Sequence, residues 1–569
     1  MNNEWMSEKT PTNKKDHKNF IENIIAKDLD EGTHDGMVVT RFPPEPNGYL
    51  HIGHAKAICL NYGLVWNNSP KSKFNLRFDD TNPEKEDTEY VNSIKEDVKW
   101  LGADWEENIH FSSDYFEKLY GFAIELINKG IAYVDDQSPD EIHASRGNFE
   151  KPGTDSPYRK RSIEENLKLF TEMREGKFKD GEKVLRAKVD MASNFMCMRD
   201  PIMYRIKHVE HHRTGNEWCI YPMYDYTHGL SDAIEGITHS LCTLEFQDNR
   251  RIYDWFIENV TAPSRPHQYE SARLNLDYTI MSKRKLLQLV EEKHVEGWDD
   301  PRMPTISGVR RRGYPAAAIR SFMEQIGVGK KDGVIELSIL EANVRDQLNA
   351  TTKRCLGILE PLKVTITNWE DTTKEIDAPF HPKDESFGSR KINFGKEIYV
   401  EQSDFMLDPP SPKKWYRLGV GRSVRLRYGY VITCDEVIQD EAGLPLELKC
   451  SYHADSFGGQ QPAALEKKVK GIIHWVNAND CKDVEVRLYD RLFKHEAPGT
   501  LENFLEEINP DSLSIITAKV EPFLAEQIAG EQFQFERMGY FTVDSKLSSP
   551  GKPVYNRTVT LRDSWAKKS

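Results

Sequence analysis

Two histidines three residues apart open the part of the chain that could do chemistry. His51 and His54 frame the sequence His-Ile-Gly-His, and the loop before them carries Gly48 among three prolines. On the first turn of a helix, side chains three residues apart point the same way, so both imidazoles face one ligand. The free N–H groups and the dipole of a helix N-terminus favour an anion, and glycines allow its close approach. The pattern predicts a site for the phosphates of ATP.

The elements around this loop must follow the order strand, loop, helix. Residues 37–42 are short and rich in β-branched and apolar side chains, which is typical of a buried strand. Residues 55–60 carry apolar side chains at helical spacing. On its own, a His-x-x-His pair is also typical of a surface pair or of half a metal site. Both interpretations stay open on this motif alone.

A second basic loop follows about 230 residues later, at residues 278–286. It carries Met281, Ser282 and Lys283 ahead of two further cations. Alone, such a loop is typical of a solvated turn. Its pairing with the histidine motif favours a shared function for the two segments.

Composition bounds the class of protein. A chain of 569 residues allows three or four domains of about 150 residues each. With 38% hydrophobic and 30% charged residues, it fits a globular protein rather than a disordered or membrane protein. There is no run of about 18 apolar residues, and residues 1–18 are polar without an apolar signal core. We expect a cytoplasmic protein without membrane contact, whose first 18 residues form a flexible lead-in.

Cysteine usage and net charge exclude further classes. The eight cysteines form no C-x-x-C pair, so the sequence predicts neither a zinc ribbon nor a disulfide framework, and no metal held by protein ligands. The net charge of −14 argues against indiscriminate binding of nucleic acid, and we expect no DNA binding. Local basic patches on an acidic protein remain compatible with one structured RNA.

The pattern along the chain changes several times. We predict an N-terminal lead-in (1–36), the first half of an α/β catalytic domain (37–110), an inserted domain (111–213), the second half of the catalytic domain (214–284), a helical subdomain (285–350) and two β-barrels (351–569). Asp79 and Asp80 end a predicted strand, where ligands of open α/β sheets sit. An apolar stripe at residues 337, 340, 344 and 348 predicts a packed helix.

The C-terminal region reads as short strands with turn signals, which is typical of antiparallel barrels. The predicted strands are 363–367, 398–400, 424–432, 484–488 and 533–543. In the third of these, Arg425 and Arg427 alternate with Val424 and Leu426, so the arginines share one face. That face either meets phosphates and bases or is a solvated outer face. Arg310-Arg311-Arg312 likewise either contact phosphate or form a solvated turn.

Seven segments together resemble the glutaminyl-tRNA synthetases, which are class I aminoacyl-tRNA synthetases. They are the two motifs above and residues 41–48, 77–83, 221–225, 297–302 and 534–537. The resemblance covers nearly the whole chain, but Ile280 and Arg284 replace the first lysine and last serine of the family's Lys-Met-Ser-Lys-Ser signature. It implies an α/β Rossmann-type catalytic domain, an inserted acceptor-end-binding domain, a helical subdomain and two C-terminal antiparallel β-barrels that read the anticodon.

Three other functions compete with this interpretation. Glutamyl-tRNA synthetases of eukaryotic and archaeal type share both signatures, but their pocket needs a cation for the substrate carboxylate. Here Cys242 stands where those relatives typically carry Arg, and Gln268 matches the glutaminyl pattern, which favours glutamine. A catalytically silent tRNA-binding relative would show damage in the signatures, and His51, His54 and Lys283 are present. The long barrel region argues against a small nucleotidyltransferase.

The resemblance implies ATP-dependent charging of glutamine tRNA through a glutaminyl adenylate, with Mg²⁺ on the ATP phosphates and a monomeric enzyme. The implied catalytic residues are His51, His54 and Lys283. The implied ATP-binding residues are Glu45, Pro46, Asn47, His51, Ile52, Gly53, His54, Ala55, Lys56, Ala57, Thr243, Arg273, Leu274, Met281, Ser282 and Lys283.

Further residues are implied for glutamine and tRNA. Those for glutamine are Arg41, Asp79, Tyr224, Cys242 and Gln268, with Asp79 on the α-ammonium, Arg41 on the α-carboxylate or the tRNA terminus, and Tyr224 on the side-chain amide. Without the resemblance, Tyr224 fits a core aromatic and Asp79 a helix cap. Asp248 is implied for the acceptor stem, and Arg354, Arg417, Arg425, Arg427, Gln534 and Arg537 for the anticodon.

Overall fold

The computed structural model describes residues 18–68, 71–84, 86–370, 372–409, 411 and 414–563. The chain forms two compact units. The first extends to Asn275 and includes Met323–Ile335, and the second comprises Leu276–Phe322 and the chain from Glu336 onward. The helices are α1 (Phe20–Asp30), α2 (Ile52–Trp66), α3 (Thr88–Trp100), α4 (Phe116–Asn128), α5 (Pro139–Ser145), α6 (Ile163–Arg174), α7 (Tyr224–Glu235), α8 (Arg250–Asn259), α9 (Lys283–Glu291), α10 (Ile306–Arg312), α11 (Ala316–Ile326) and α12 (Leu337–Thr351).

The strands of the first unit are β1 (Val39–Phe42), β2 (Lys73–Phe78), β3 (Ile109–Phe111), β4 (Ala132–Asp135), β5 (Val184–Ala187), β6 (Ile202–Ile206), β7 (Ile220–Pro222), β8 (His239–Thr243) and β9 (His267–Ser271). The short strands β10 (Asn275–Leu276) and β11 (Val334–Ile335) follow. The second unit continues with β12 (Lys353–Cys355), β13 (Gly357–Ile358), β14 (Pro361–Ile366), β15 (Lys374–Pro379), β16 (Ser389–Phe394), β17 (Glu397–Glu401), β18 (Ser423–Leu426), β19 (Val431–Gln439), β20 (Pro445–His453), β21 (Ile472–Ile473), β22 (Val476–Asn477), β23 (Lys482–Tyr489), β24 (Leu513–Val520), β25 (Gln532–Phe535), β26 (Gly539–Val543) and β27 (Val554–Val559).

Parallel strands position the histidine motif. β1, β2 and β3 form one parallel sheet, and β8 and β9 form another. The N–H of Thr238 donates to the carbonyl oxygen of Val39 at 3.0 Å and joins β8 to β1. The chain leaves β1, crosses the proline-rich loop and enters α2 at Ile52. The predicted order of strand, loop and helix is confirmed, and β2 ends at Phe78, directly before the two aspartates.

An N-terminal helix lies within the predicted lead-in. α1 begins with a capping box, in which Asn19 accepts from the N–H of Glu22 and Glu22 accepts from the N–H of Asn19. Ile21 and Ile25 are buried one helical turn apart. Both features are visible in the sequence, because an Asn-x-x-Glu cap followed by apolar residues at i and i+4 predicts the start of a helix. The predicted flexible segment, residues 1–18, lies outside the described residues except for Lys18.

The segment predicted as an insertion forms an antiparallel sheet with the order β4-β5-β6-β7. The last strand, β7, lies beyond residue 213, the predicted end of this segment. Its core is shared with the helices that follow, because Phe170 and Tyr204 belong to the same buried cluster as Leu230 and Phe256. The sequence predicted an inserted domain here but not the order of its four strands.

Two seven-stranded sheets dominate the second unit. Their strand orders are β12-β25-β26-β27-β23-β24-β13 and β21-β18-β19-β20-β14-β17-β22. Each is barrel-like and mainly antiparallel, but each also contains two parallel pairs: β12 with β25 and β23 with β27 in one, β14 with β20 and β18 with β21 in the other. The prediction of antiparallel barrels therefore holds for most of the strand pairs but not for these four. The predicted stripe on α12 is confirmed, since Leu340, Val344 and Leu348 are buried.

Two predicted strands are each two strands joined by a turn. Residues 424–432 divide into β18 and β19, and residues 533–543 divide into β25 and β26. Tyr428 and Arg537 occupy the turns with φ of 64° and 68°. Such left-handed conformations are uncommon for residues other than glycine, so the residue types at these two positions gave no turn signal. Among the described residues, no helix combines the length and the apolar character needed to cross a membrane.

Candidate active site and nucleic-acid interface

The two signature histidines cap α2 with their own rings. Nδ1 of His51 accepts from the N–H of Gly53 at 3.1 Å, and Nδ1 of His54 accepts from the N–H of His51 at 3.0 Å. Because both Nδ1 atoms accept, the proton of each neutral ring lies on Nε2. Burial lowers the pKa of His51 to about 4, so its ring is neutral at physiological pH. The motif therefore forms two adjacent rings, 3.9 Å apart between centroids, with their N–H groups fixed on the same nitrogen.

The proline-rich loop is pinned to the end of β2. The N–H of Asp79 donates to the carbonyl oxygen of Pro44 at 3.0 Å, and the N–H of Asp87 donates to that of Pro46 at 3.1 Å. Within the loop, the Asn47 side chain donates to the carboxylate of Glu45. Pro46 is buried and Glu45 is exposed. The structure thus brings the predicted ATP-binding residues 45–47 to the carboxyl end of the parallel sheet.

The other predicted ATP-binding residues of the first unit divide into two groups. Ile52 and Ala55 are buried in the core, so only their backbone is available to a ligand, and Ala57 is half-buried. Lys56 donates from Nζ to the carbonyl oxygen of Ala272 at 2.7 Å, beside the predicted Arg273 and Leu274. Burial lowers the pKa of Lys56. At the same sheet edge, Glu245 accepts from Thr243 at 2.7 Å and lies 4.0 Å from Arg273.

Asp79 is a buried carboxylate at the end of β2. Its Oδ1 accepts from the Ser112 hydroxyl at 3.2 Å. Burial raises its pKa to about 7, and Glu45 and Asp80 act in the same direction while Arg77 opposes them. A carboxylate in this state gains strongly from a neighbouring cation. The alternative as a helix cap does not hold, because Asp87 caps the following helix α3.

Arg41 belongs to a buried ion-pair network. Its guanidinium donates to Asp232 Oδ1 at 3.0 Å, to the carbonyl oxygen of Leu241 at 2.8 Å and to Ser240 Oγ at 2.8 Å, and lies 2.5 Å from His228 Nε2. Burial opposes its charge, but Asp232 holds the pKa of Arg41 above its ordinary value. Asp232 also pairs with Arg77 at 2.8 Å. The charge of Arg41 is therefore compensated by protein groups.

The remaining residues predicted for glutamine, Tyr224, Cys242 and Gln268, lie close together around Phe246 and His228, and we call this group the uncharged wall. The Tyr224 ring stacks on His228 at 5.1 Å and lies 5.5 Å from Phe246. Gln268 is buried and donates to the carbonyl oxygen of Phe246 at 2.9 Å. Burial raises the pKa of the Cys242 thiol, which is therefore neutral. The structure brings Tyr224, Cys242 and Gln268 together as an uncharged set.

The second signature lies in the second unit. Lys283 is the first residue of α9, Ser282 is its N-cap, and both side chains are exposed, while Met281 is half-buried. Lys285 donates to the carbonyl oxygens of Gly499 and Leu501 at 2.7 and 3.0 Å. The N–H of Tyr278 donates to the carbonyl oxygen of Glu496 at 2.6 Å. The signature loop is thus tied on both sides of Lys283 to residues 496–501 of the same unit.

Four of the predicted anticodon residues form two pairs. Arg354 and Gln534 are register partners on the parallel strands β12 and β25. Arg417 and Arg537 meet at Asp404, a buried residue that sequence reasoning missed. Arg537 donates to both Asp404 oxygens, at 2.5 and 2.7 Å, and Arg417 Nε lies 3.4 Å from Oδ1. No sequence signal was available for Asp404, because its partner Arg537 is 133 residues away.

The last two predicted anticodon residues line a cavity of about 600 Å³ together with Lys374, Tyr428 and Phe457. Arg425 and Arg427 lie on the side opposite the buried Val424 and Leu426, as predicted. Arg425 donates to the carbonyl oxygen of Val469 at 3.0 Å, and Arg427 lies 3.3 Å from Glu536. Cations beside aromatic rings form a surface on which bases stack and are read by hydrogen bonds.

Two exposed residues concern the predicted acceptor end. Asp248 is exposed in the turn before α8, as its predicted contact requires. Sequence reasoning missed Phe149, whose side chain is 87% exposed. Arg199 contacts its loop at three points, because it donates to the carbonyl oxygens of Arg146, Asn148 and Lys151 at 2.9 to 3.0 Å. The sequence did contain a signal for Phe149, because it is an aromatic residue inside a segment rich in turn-forming residues.

One group of side chains among the described residues has the composition of a metal site: Asp80, His211 and His212. Hydrogen bonds within the protein explain why these three side chains lie close together. Nδ1 of His211 accepts from the N–H groups of Arg213 and Thr214 at 3.2 Å, so Nε2 carries a proton and donates to the carbonyl oxygen of Asp80 at 2.8 Å. A protonated nitrogen cannot ligate a metal.

Two of the three consecutive arginines, Arg311 and Arg312, contact protein groups of the second unit. Arg311 is buried and donates to Asp544 at 3.0 Å. Arg312 donates to the carbonyl oxygen of Thr558 at 3.1 Å. Both are committed to contacts with the C-terminal sheet of the same unit, because a helix end placed against that sheet needs its cations paired. They are structural residues rather than a solvated turn.

Comparison with known proteins agrees with this arrangement. Residues 37–350 match the family model described as tRNA synthetases class I (E and Q), catalytic domain. Residues 352–453 and 472–544 match models of the anticodon binding domain of the same group. Glutamine–tRNA ligases of Shigella dysenteriae serotype 1 and Escherichia coli O157:H7 are 56% identical over 549 residues, which cover 96% of this chain and 98% of theirs.

A solved glutamate tRNA ligase from Elizabethkingia meningosepticum covers 55% of this chain and 70% of its own, with 18% identity and a TM-score of 0.40. That likeness is too low to support an inference. The matched models leave few described residues outside a catalytic and an anticodon-binding region, and the relatives match from end to end. The chain therefore belongs to the glutaminyl-tRNA synthetases, within the class I tRNA synthetases for glutamate and glutamine.

Proposed function

We propose that this protein ligates L-glutamine to the 3′ end of glutamine tRNA, using ATP and passing through glutaminyl adenylate, with release of AMP and pyrophosphate. The 56% identity to glutamine–tRNA ligases over nearly the whole of both chains carries the proposal. The uncharged wall of Tyr224, Cys242 and Gln268 supports glutamine over glutamate, because a glutamate pocket needs an available cation.

In the first step, an oxygen of the glutamine carboxylate attacks the α-phosphorus of ATP, and pyrophosphate leaves. The nucleophile is already charged, so no general base is needed. Catalysis then rests on positioning and on stabilising the negative charge of the phosphoryl oxygens. His51 and His54 supply neutral N–H donors for this purpose. Mg²⁺ accompanies the substrate ATP and neutralises charge on its phosphates.

Lys283, on the second signature loop, also stabilises negative charge on the phosphates. We assign it to the β and γ phosphates of ATP on the strength of the sequence signature. Its side chain is exposed at the start of α9, on a loop that is held on both sides by hydrogen bonds to residues 496–501. The residues assigned to ATP remain those named from the sequence, with Ile52 and Ala55 acting through their backbone.

The α-ammonium of glutamine is assigned to Asp79. In the second step, a terminal ribose hydroxyl of the tRNA attacks the adenylate carbonyl and AMP leaves. We assign the acceptor end to the segment 111–213 with Asp248, where the exposed Phe149 offers a ring for base stacking. The anticodon is assigned to the region from 351 onward, and the helices of 285–350 form a subdomain. We further propose a monomer that binds no DNA.

Asp79 gives the reaction a specific pH dependence. Its pKa of about 7 means that the carboxyl is protonated in the free enzyme below pH 7 and ionised above it. Only the ionised form attracts the α-ammonium, so we expect kcat/KM for glutamine to fall tenfold for each unit of pH below 7. Charging rates measured from pH 5.5 to 8.5 at saturating ATP and tRNA check this. Asp79→Asn lowers kcat/KM and removes the slope, and a wild-type profile that is flat across pH 7 would contradict the assignment.

The proposed function is tested by charging with labelled glutamine and labelled glutamate in parallel, on glutamine tRNA and on glutamate tRNA, with ATP and Mg²⁺. We expect glutamine to be attached to glutamine tRNA, and a glutamine to glutamate ratio of at least about 10⁴ in kcat/KM, because a site built for hydrogen bonding leaves groups unpaired with the wrong substrate. Glutamate attached to glutamate tRNA would favour the glutamyl alternative. Failure to charge any tRNA would favour a silent tRNA-binding relative.

A further inference from the structure

One buried acceptor in the proposed glutamine pocket has no protein partner. The side chain of Gln268 is fully buried, and its Nε2 donates to the carbonyl oxygen of Phe246 and to Oε1 of Glu270, both at 2.9 Å. Both amide protons are therefore used. The amide oxygen, Oε1, is buried and has no hydrogen-bond partner among the described residues. Since about nine in ten buried polar atoms are paired, such an atom inside a proposed pocket indicates a ligand.

The orientation of this amide is fixed by chemistry. Phe246 offers a carbonyl oxygen and Glu270 a carboxylate, and neither can donate a hydrogen bond. A reversed Gln268 amide would place its oxygen against both of these oxygens. Glu270 is itself held by Arg250, which donates from Nε to Oε1 at 2.9 Å and from Nη2 to Oε2. Glu270 therefore acts as a clamp that forces Gln268 to present its oxygen.

The register of the two strands places this clamp beside the residues proposed to select glutamine. In the parallel pair of β8 and β9, Ser240 is opposite Gln268 and Cys242 is opposite Glu270. Register partners lie on the same face of a sheet, so the clamp shares a face with Cys242. Phe246, which accepts from Gln268, also contacts the Tyr224 ring.

We propose that Glu270, anchored by Arg250, is a positioning residue for amino-acid specificity. It turns the Gln268 oxygen toward the side-chain amide of the substrate, which donates to it directly or through one water. This inference rests on the proposed function. The carboxylate of glutamate has no proton to donate, so it meets an acceptor at this point and leaves it unpaired. The Glu270–Arg250 pair is neutral as a whole and adds no charge to the pocket.

The test is the variant Glu270→Gln, with kcat/KM measured for glutamine and glutamate on glutamine tRNA. A glutamine at 270 offers either an acceptor or a donor and weakens a charge-assisted hydrogen bond. The Gln268 amide can then present its N–H₂ group for part of the time. We expect KM for glutamine to rise and the glutamine to glutamate ratio to fall, each about tenfold, while KM for ATP stays unchanged. Arg250→Gln should give a smaller change in the same direction.

Glu117→Gln is the matched control, because it also removes a two-point arginine pair, with Arg174, but one that contacts none of the proposed pocket residues. It should retain the wild-type ratio. An unchanged ratio in Glu270→Gln would overturn the inference, as would equal losses for glutamine, glutamate and ATP together with a lowered unfolding temperature. If the wild-type enzyme does not charge glutamine tRNA, the proposed function fails instead, so the two failures are distinct.

Discussion

Replacing Lys283 by alanine should lower the rate of glutamine charging by about 100- to 1,000-fold and leave the fold intact. The size follows from the removal of one preorganised charge that stabilises the phosphoryl oxygens in the transition state. Lys283 is exposed at the first residue of α9, and alanine is a good helix former, so the free energy of unfolding should change little. Single-turnover charging at saturating ATP measures the chemical step, and thermal unfolding measures the fold.

The neighbouring residue provides the control. Arg284 is an exposed cation on the same helix, so Arg284→Ala removes the same charge from the same surface. We expect its charging rate to stay within about threefold of the wild type, because exposed charges away from a ligand contribute little. Equal losses in the two variants would show that the basic surface, rather than Lys283, matters. Near-normal charging by Lys283→Ala would refute the assignment of this residue.

What the sequence predicted well depends on local spacing. The histidine pair, the start of α2, the buried stripe of α12 and the alternation of Val424 and Leu426 with arginines all follow from patterns within about ten residues. The turns at Tyr428 and Arg537 were missed, because their positive φ is held by surrounding structure and not by glycine or asparagine. Local patterns therefore located the strands but not their breaks.

What the sequence could not predict depends on contacts between distant segments. The ion pair of Arg41 with Asp232 joins residues 191 positions apart. Asp404 gathers Arg417 and Arg537 in the same manner. Glu270 is only two residues from Gln268, but its effect depends on Arg250 and on the carbonyl oxygen of Phe246. Predicting which side chains a ligand can reach requires knowing which protein groups already satisfy them.

The histidine pair makes possible a substitution that separates catalysis from folding. His51 caps α2 through Nδ1, which accepts from the N–H of Gly53, while Nε2 carries the proton assigned to the phosphoryl oxygens. Asparagine is among the best N-cap residues, and its Oδ1 takes over the first contact without reaching the second. His51→Asn should therefore lower the chemical rate by about 100- to 1,000-fold and shift the unfolding temperature by only about 1 °C.

His51→Ala removes both contacts and provides the comparison. Loss of an N-cap costs about 1 kcal/mol, so this variant should lose the same activity and also some stability. Because burial lowers the pKa of His51 to about 4, its ring stays neutral from pH 5.5 to 8.5, and the wild-type rate of the chemical step should show no ionisation of this residue in that range. If His51→Asn charged glutamine tRNA at the wild-type rate, the ring would be a helix cap only, and the phosphoryl oxygens would be stabilised without it.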